Sequence, residues 1–548
     1  MSIETETMLA GRPDPLMPSM RSAHHWTTTN LGEAAPGVLT PLSLAMWGAP
    51  GERGARWAEF EIGVLKKEEL AVPEDPAEWI LRLFYGRLTM RLESMALVGD
   101  RFPGTSGREA IRGMFGEAPP EMTFNPTRER YPAIAVKFPR AFLSYPRRLR
   151  PLAAEQDRWW HESIPRLDSL DRTQALELFA EASARFERTA GTQLLGTLCS
   201  VQPMYEALEK LIETAGTGDI SVLSGTGGAE MAVVSDIWRA SRGELPVEDV
   251  VARHGFHGPG EGELSSTVWR EDDGPLRRLI EQYATRPDAD SPIAREAGRA
   301  AELVEAQREL IAALPRLKRA PARVVLRLAA QRIPHRGIAK AAFLQVIDVA
   351  RASARRAGDL FVAEGVLADR DDVLMLTPEE LVAPLPENVR ELVAARRERR
   401  AEYQQLELAS ATWEGLPETV PVSDSPAAGE EVSEITGTGV SGGVVEGMVR
   451  VVTDPSFAEV EPDEVLVAPT TDPSWSSIMF ISAALVVDIG GVLSHAAVVA
   501  RELQIPCVVD TGNGTELLST GDRVRVDGDR GVVEVLERAA DSAEPVSP

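Results

Sequence analysis

The 548 residues, 43% hydrophobic and 26% charged, are ordinary for a globular chain and long enough for about two to four domains. A formal charge of −26 argues against nucleic acid or an anionic membrane surface as a partner. The two cysteines, Cys199 and Cys507, lie far apart and outside any metal-binding spacing, so no disulfide framework is expected and a reducing cytoplasm is the expected location. No apolar run reaches the roughly 18 residues needed to cross a bilayer, and the start of the chain lacks the basic and apolar regions of a signal peptide.

In chain order, residues 1–20, with Pro13, Pro15 and Pro18, read as a loose lead-in. Residues 75–100 carry a helical period through Trp79, Leu83, Phe84, Leu88 and Leu92. A long helical region follows over 150–215, where Leu176, Phe179, Ala182, Phe186, Ala190 and Leu194 recur on one face. Another covers 290–358, with breaks expected near Pro315, Pro321 and Pro334. Residues 414–430 form a Pro/Gly/Ser-rich linker, after which the pattern changes to short valine-rich strands. The acidic end, 539–548, reads as a disordered tail. No internal repeat is present.

The most informative stretch runs from Gly490 to Glu502. It lies between the apolar runs Ala484 to Ile489 and Ile505 to Asp510, which predicts strand, glycine turn, helix and strand. Ser494 is the expected N-cap, His495 falls in the first helical turn, and Pro506 ends the helix. A helix start offers unpaired backbone N–H groups and the positive end of a macrodipole, so a phosphate is favoured there. Gly490, Gly491, Ser494 and Ala496 would cradle it, and an imidazole at His495 would attack a phosphoryl group and carry it. As an exposed residue, His495 is expected to add little to packing. The same pattern also fits an ordinary surface or core histidine.

The surroundings of this histidine carry a resemblance. Gly439-Val440-Ser441-Gly442-Gly443, Thr471-Asp472-Pro473-Ser474-Trp475, Ser494-His495-Ala496-Ala497, Ile505-Pro506-Cys507 and Gly521-Asp522 resemble the swivelling phosphohistidine domain of the phosphoenolpyruvate-utilising enzymes. The resemblance spans 435–535 and implies that His495 is the phosphorylated residue. It also gives the linker a mechanical meaning, because a carrier histidine collects its phosphate in one place and delivers it in another.

A thinner resemblance covers the first part. His25-Trp26-Thr27-Thr28-Thr29-Asn30 with Glu33-Ala34-Ala35-Pro36-Gly37, Leu223-Ser224-Gly225, Arg253-His254-Gly255-Phe256-His257-Gly258 and Asp371-Asp372-Val373 are similar to the substrate-binding region of rifampin phosphotransferase-like members of the family. The family's Arg-x-x-x-Lys pair is matched by Arg336 and Lys340, which share a helix face at i and i+4 and would clamp a phosphoryl group in transit. The family's acidic residue after the arginine is here Gly337. His257 stands where relatives commonly have arginine, and reads either as a general base for an acceptor hydroxyl or as a turn histidine bonding the backbone. Glu261 and Glu263 either orient that site or cap a helix. Trp26, Met46, Trp47, Phe84 and Tyr85 would line a substrate pocket, although scattered aromatics more often belong to the core.

The expected architecture is therefore multidomain α+β. A mainly helical substrate-binding domain (21–413) precedes the linker and a compact α/β swivelling phosphohistidine domain (431–538). Ser224-Gly225-Thr226-Gly227-Gly228 lacks the lysine of a P-loop, and no ATP-grasp domain is recognised. ATP and Mg²⁺ are accordingly expected on an ATP-grasp-type protein acting in trans, a division for which phenylphosphate synthase is the family example. No metal site is expected in this chain. The acceptor would be a small molecule with a hydroxyl or carboxyl group. Two other readings stand beside this one: a non-catalytic binding or regulatory homologue, and a condensing or ligase-type enzyme acting through a phosphorylated acceptor.

Overall fold

The structure, a computed structural model, describes residues 8–17, 24–116, 118–218, 223, 229–288, 291–421, 433–453, 460–461, 463–471, 475–491 and 494–539. It is multidomain and mixes long helices with one large sheet. Two compact units form, and both are discontinuous in sequence. The first comprises Met1–Thr217, Gly260–Thr267 and Leu310–Val422, and the second Gly218–Pro259, Val268–Glu309 and Ser423–Pro548. This division departs from the expected boundaries, because most of 218–309 groups with the histidine-bearing end rather than with the helical first part.

The first unit is built on the helices Ala49–Glu61, Tyr131–Ser163, Arg172–Gly196 and His335–Ala363. The expected helices over 150–215 and 290–358 are present, and breaks fall at Pro315 and Pro334. Pro321 is no break. It lies in the first turn of the helix Arg319–Arg332, where a missing N–H costs nothing.

Strands β1 (Met8–Leu9) and β2 (Arg12–Pro13) form a hairpin. The lead-in is thus partly ordered, with Leu16 buried and Asp14 accepting a 2.7 Å bond from the Tyr403 hydroxyl. Strands β3 (His25–Thr27), β4 (Leu81–Phe84) and β5 (Arg87–Arg91) join a later strand in a four-stranded antiparallel sheet. The helical expectation for 75–100 therefore fails over 81–91. Tyr85 and Gly86 both adopt positive φ, which closes a two-residue hairpin turn, and a helix starts only at Leu92. Strands β6 (Leu406–Leu408), β7 (Thr412–Glu414) and β8 (Thr419–Pro421) follow, β7 pairing with β3 and β8 with β6. The first residues of the expected linker are therefore strand, and 422–430 lie outside the described residues.

The second unit is organised by an eight-stranded sheet. Its strands are β9 (Glu434–Thr436), β10 (Thr438–Ser441), β11 (Val444–Val451), β12 (Val465–Ala468), β13 (Ala484–Val487), β14 (Cys507–Val509), β15 (Arg523–Asp527) and β16 (Val532–Glu537), in the spatial order 10-14-13-12-11-15-16-9. The pairs β14–β13, β13–β12 and β12–β11 are parallel and the remainder antiparallel. Every residue of β12, β13 and β14 is buried, as continuous apolar runs in a covered parallel sheet require.

Glycines let the antiparallel edge close. A Cβ on Gly439 would lie 2.2 Å from the Gly528 carbonyl oxygen, and one on Gly528 would lie 2.0 Å from that of Ser441. Helices Ala229–Ser241 and Gly274–Ala284 complete the unit's apolar core. Phe480 packs there against Tyr283 at 5.1 Å and Trp238 at 6.2 Å between ring centroids.

Candidate functional site

The histidine segment forms as its pattern predicts. β13 ends at Val487, the helix His495–Leu503 follows, and β14 returns parallel to β13. This places His495 beyond the carboxyl end of a central parallel strand, the usual location of ligand sites in such sheets. Ser494 adopts extended backbone, and its Oγ accepts the Ala497 N–H at 3.2 Å. Gln504, left-handed at φ 54°, closes the helix before Pro506. Buried Arg501 ties the helix to β10 by donating from Nε to the Val440 carbonyl at 2.8 Å.

His495 itself departs from expectation, because it is buried rather than exposed. Its Nδ1 lies 3.1 Å from Oγ1 of Thr471, which is also buried. Sequence reasoning quoted Thr471 within a family motif but gave it no part at the histidine. Its signal lay in topology: β12 and β13 are adjacent and parallel, so the residues after their carboxyl ends meet.

Asp488 plays a supporting part. It accepts from Thr511 Oγ1 at 2.8 Å, Thr515 N at 3.2 Å and Thr515 Oγ1, which pins the loop after β14 beside the end of β13. Gly490 is buried, and a Cβ there would lie 3.2 Å from Ser494 Oγ. The Gly491 carbonyl accepts the Ser494 N–H at 2.9 Å, and Ala496 is buried in the first helical turn. By helix geometry the first amides project beyond the N-terminus. Residues 472–474, 492 and 493 lie outside the described residues.

The other expected site residues divide between the units. His257 belongs with His495 in the second unit. It is buried beside Phe256 (4.3 Å between ring centroids) and Trp269 (6.0 Å), and its carbonyl accepts the Trp269 N–H at 2.8 Å. The neighbouring His254 lies 3.1 Å from Asp236, and burial, together with His257, pushes its pKa down to about 4.

Arg336 and Lys340 belong to the first unit. They are half-buried on the first turns of the helix His335–Ala363, spaced as expected. The Arg336 guanidinium has no ion-pair partner among the described residues. His335 beside it is buried, and its pKa is held down at about 4 by burial and by the charges of Arg332 and Arg150.

Glu261, Glu263, Trp26 and Trp47 are all buried within the first unit. The Glu263 carboxylate accepts from Thr40 N (3.1 Å), Thr40 Oγ1 (2.7 Å), Ser43 Oγ (2.8 Å) and Ser265 N (3.1 Å). Its acceptor capacity is thus committed to structure. Glu261 is buried in the same segment, its carbonyl bound by Arg351. Trp26 is enclosed against Phe84 at 5.2 Å. Trp47 packs on Phe186 at 5.0 Å and donates its N–H to the Gly262 carbonyl at 3.0 Å. Met46 and Phe84 are likewise fully buried.

Among the described residues no helix is long and apolar enough to cross a membrane, and no group of three or more His, Cys, Asp or Glu could hold a metal ion.

His495 thus stands at a helix start beyond a parallel strand, with Nδ1 beside Thr471. Residues 460–531 match the PEP-utilising enzyme mobile domain, and 243–339 match the rifampicin phosphotransferase fourth domain. These two segments are similar to parts of the phosphoenolpyruvate-utilising enzymes. It is 33% identical over 296 residues to an uncharacterised protein of Mycobacterium tuberculosis, covering 52% of this chain and 31% of the relative. It is 37% identical over 196 residues to the rifampicin phosphotransferase of a Streptomyces species, covering 34% and 22%. With the Bacillus cereus rifampicin phosphotransferase the identity is 43% over 102 residues, covering 19% and 12%. The chain thus spans less than a third of the length of these curated relatives. The crystal structure of Thermococcus kodakaraensis aconitase X aligns with 19% of this chain and 98% of its own at 24% identity, with a TM-score of only 0.16.

Proposed function

We propose that this chain is a phosphotransferase in which His495 carries a phosphoryl group from an ATP-grasp-type protein, acting in trans, to a small organic acceptor. The observation that carries the reading is the placement of His495, at a capped helix start and held through Nδ1 by Thr471, inside a segment that matches the family's mobile domain.

In the tautomer that donates Nδ1–H to Thr471 Oγ1, Nε2 carries the lone pair and would be the nucleophile. In charging, an N–P bond forms at Nε2 as a P–O bond of an ATP phosphoanhydride breaks. In delivery, an acceptor oxygen attacks phosphorus, the N–P bond breaks, and the acceptor proton passes to a base or to solvent. The dipole and first amides of the helix would stabilise the phosphoryl oxygens, and Arg336 and Lys340 would do the same on the acceptor side. Mg²⁺, with ATP, would be supplied by the proposed partner.

The test is incubation with β- and γ-labelled ATP and Mg²⁺, with and without the ATP-grasp-type protein, and mapping of acid-labile, base-stable label. Label on His495 only with the partner supports the reading. Label without the partner places a nucleotide site in this chain, and no label in either arm favours a binding role. His495→Ala is expected to abolish labelling, and wild-type turnover by that variant would sink the carrier role. Arg336→Ala is expected to slow delivery more than charging, whereas equal losses would make its role structural.

A further inference from the structure

The first unit carries an open apolar groove, remote from Arg336 and Lys340. Its volume is about 980 Å³, and it lies between the start of the helix Arg172–Gly196, the end of His335–Ala363 and the loop before Val389–Gln404. Phe361 in its wall is about 30 Å along the helix from Lys340, well apart from the expected phosphoryl clamp. Leu176, Val366, Val382 and Leu385 contribute its apolar surface, and Val382 is 71% exposed.

Charge on the rim of this groove is one-sided. Arg172 pairs with Glu364 and lies 5.4 Å from the centroid of the Phe361 ring, and Arg390 donates to the carbonyls of Gly365 and Val366. Both cations are thus committed within the fold. Glu177, Glu387 and Glu391 line the same groove, are exposed, and have no side-chain partner among the described residues. An apolar floor beside three unneutralised carboxylates fits an occupant that presents apolar side chains between cations.

The helix Tyr131–Ser163, in the same unit, presents that pattern to solvent. Val136, Arg140, Leu143, Arg147 and Arg150 follow one another at intervals of four and three, which sets them on one stripe of its surface. Val136 is 71% and Leu143 67% exposed, and the three arginines are exposed with no ion-pair partner among the described residues. Apolar anchors one helical repeat apart with cations between them are the ligand half of a helix-in-groove contact. The chain's own ends do not suit the groove. Residues 1–7 include Glu4 and Glu6, 540–548 include Asp541 and Glu544, and neither stretch holds a lysine or arginine.

We propose that these two faces are the halves of one contact between copies of this chain. The stripe of one copy lies in the groove of another, with Val136 and Leu143 on the apolar surface and Arg140, Arg147 and Arg150 against Glu177, Glu387 and Glu391. The net charge of −26 opposes self-association at long range. At physiological ionic strength a Debye length of about 8 Å screens that repulsion, while charges in direct contact keep their attraction. The inference stands apart from the transfer reading, since neither face includes His495, Arg336 or Lys340.

Sedimentation equilibrium of the full chain tests it, at up to about 100 μM, where even a weak specific contact is populated. A concentration-dependent rise in mass toward two or more chains is expected, and a monomer throughout overturns the proposal. Arg140→Glu with Arg147→Glu, and separately Glu177→Lys with Glu387→Lys, are each expected to weaken association at least about tenfold, because like charges then face one another. Mixing the two variants sets opposite charges across the contact again and is expected to restore association. Undiminished association of either variant alone, or none in the mixture, overturns the proposal. All four positions are exposed, so both variants are expected to melt with the parent. If a reversal lowers melting, Leu143→Ser, which removes an exposed apolar anchor and no charge, takes its place with the same expected loss.

Discussion

The two units bury their interiors in opposite ways. In the second, the central strands β12, β13 and β14 are continuous runs of valine, leucine, alanine and cysteine, buried on both faces. In the first, the helical core encloses charge. Arg351 and Asp348, both fully buried, pair at 3.1 Å, Arg396 pairs with Glu380 at 2.6 Å, and Arg56 pairs with Glu52 at 2.7 Å. A core of the first kind follows from local sequence. One of the second kind depends on every buried charge keeping its partners and fails if any of them is lost.

The largest expected effect tests that dependence. Arg351 donates to Asp348 and to the carbonyls of Glu261 (2.8 Å) and Glu263 (2.9 Å), so it anchors the segment 260–267 within the first unit. Arg351→Ala would leave a buried carboxylate and two carbonyls short of a donor, at a cost of about 3–5 kcal/mol. Denaturant unfolding followed by tryptophan fluorescence measures it. A loss below about 1 kcal/mol would mean that this charged core is no more demanding than a surface pair.

How much was legible in the sequence follows the same contrast. The helix at His495, its Ser494 cap and the flanking strands were legible because each signal lies within a few residues of the next. Burial of His495 was not, since the elements that cover it are brought together by sheet order. Residues 81–91 deceived because Trp79, Leu83, Phe84, Leu88 and Leu92 satisfy a helical period, while the hairpin depends on two left-handed residues, Tyr85 and Gly86. Glu263 looked available because Thr40 and Ser43, which use its carboxylate, lie more than 200 positions away. The grouping of 218–259 and 268–309 with the histidine unit interleaves two units along the chain, and no composition shift marks that.

A second, smaller effect sharpens the comparison through pH. Glu59 is buried, with only the Ser94 hydroxyl (3.1 Å) bonded to its carboxyl among the described residues, and burial raises its pKa from 4.5 to about 7. The folded state therefore holds this proton more tightly than the unfolded chain. Its contribution to stability falls as pH rises from about 4.5 to about 7 and is level above that. At about 1.4 kcal/mol per pKa unit the loss amounts to a few kcal/mol. Glu59→Gln keeps an acceptor for Ser94 and is expected to flatten much of the decline between about pH 5 and about pH 8, read from urea midpoints. Some slope would remain, because burial raises Glu52 as well. An unchanged profile in Glu59→Gln would show that the bundle tolerates the ionised form.

The smallest expected effect falls in the apolar unit, at its one capped functional helix. Ser494 is fully buried, and its Oγ satisfies the Ala497 N–H. Ser494→Ala removes that bond at about 1 kcal/mol, and Ser494→Gly, which likewise leaves the Ala497 N–H without its acceptor, costs a similar amount. Both are modest beside Arg351→Ala because the strands under the helix retain their packing. Function is expected to respond more than stability. Loss of the cap loosens the turn that carries His495, and a displacement of about 1 Å in a reacting group can cost on the order of 100-fold in rate. Histidine charging slowed far beyond the change in melting would make Ser494 a positioning residue. Charging and stability falling in proportion would leave it a helix cap and nothing more.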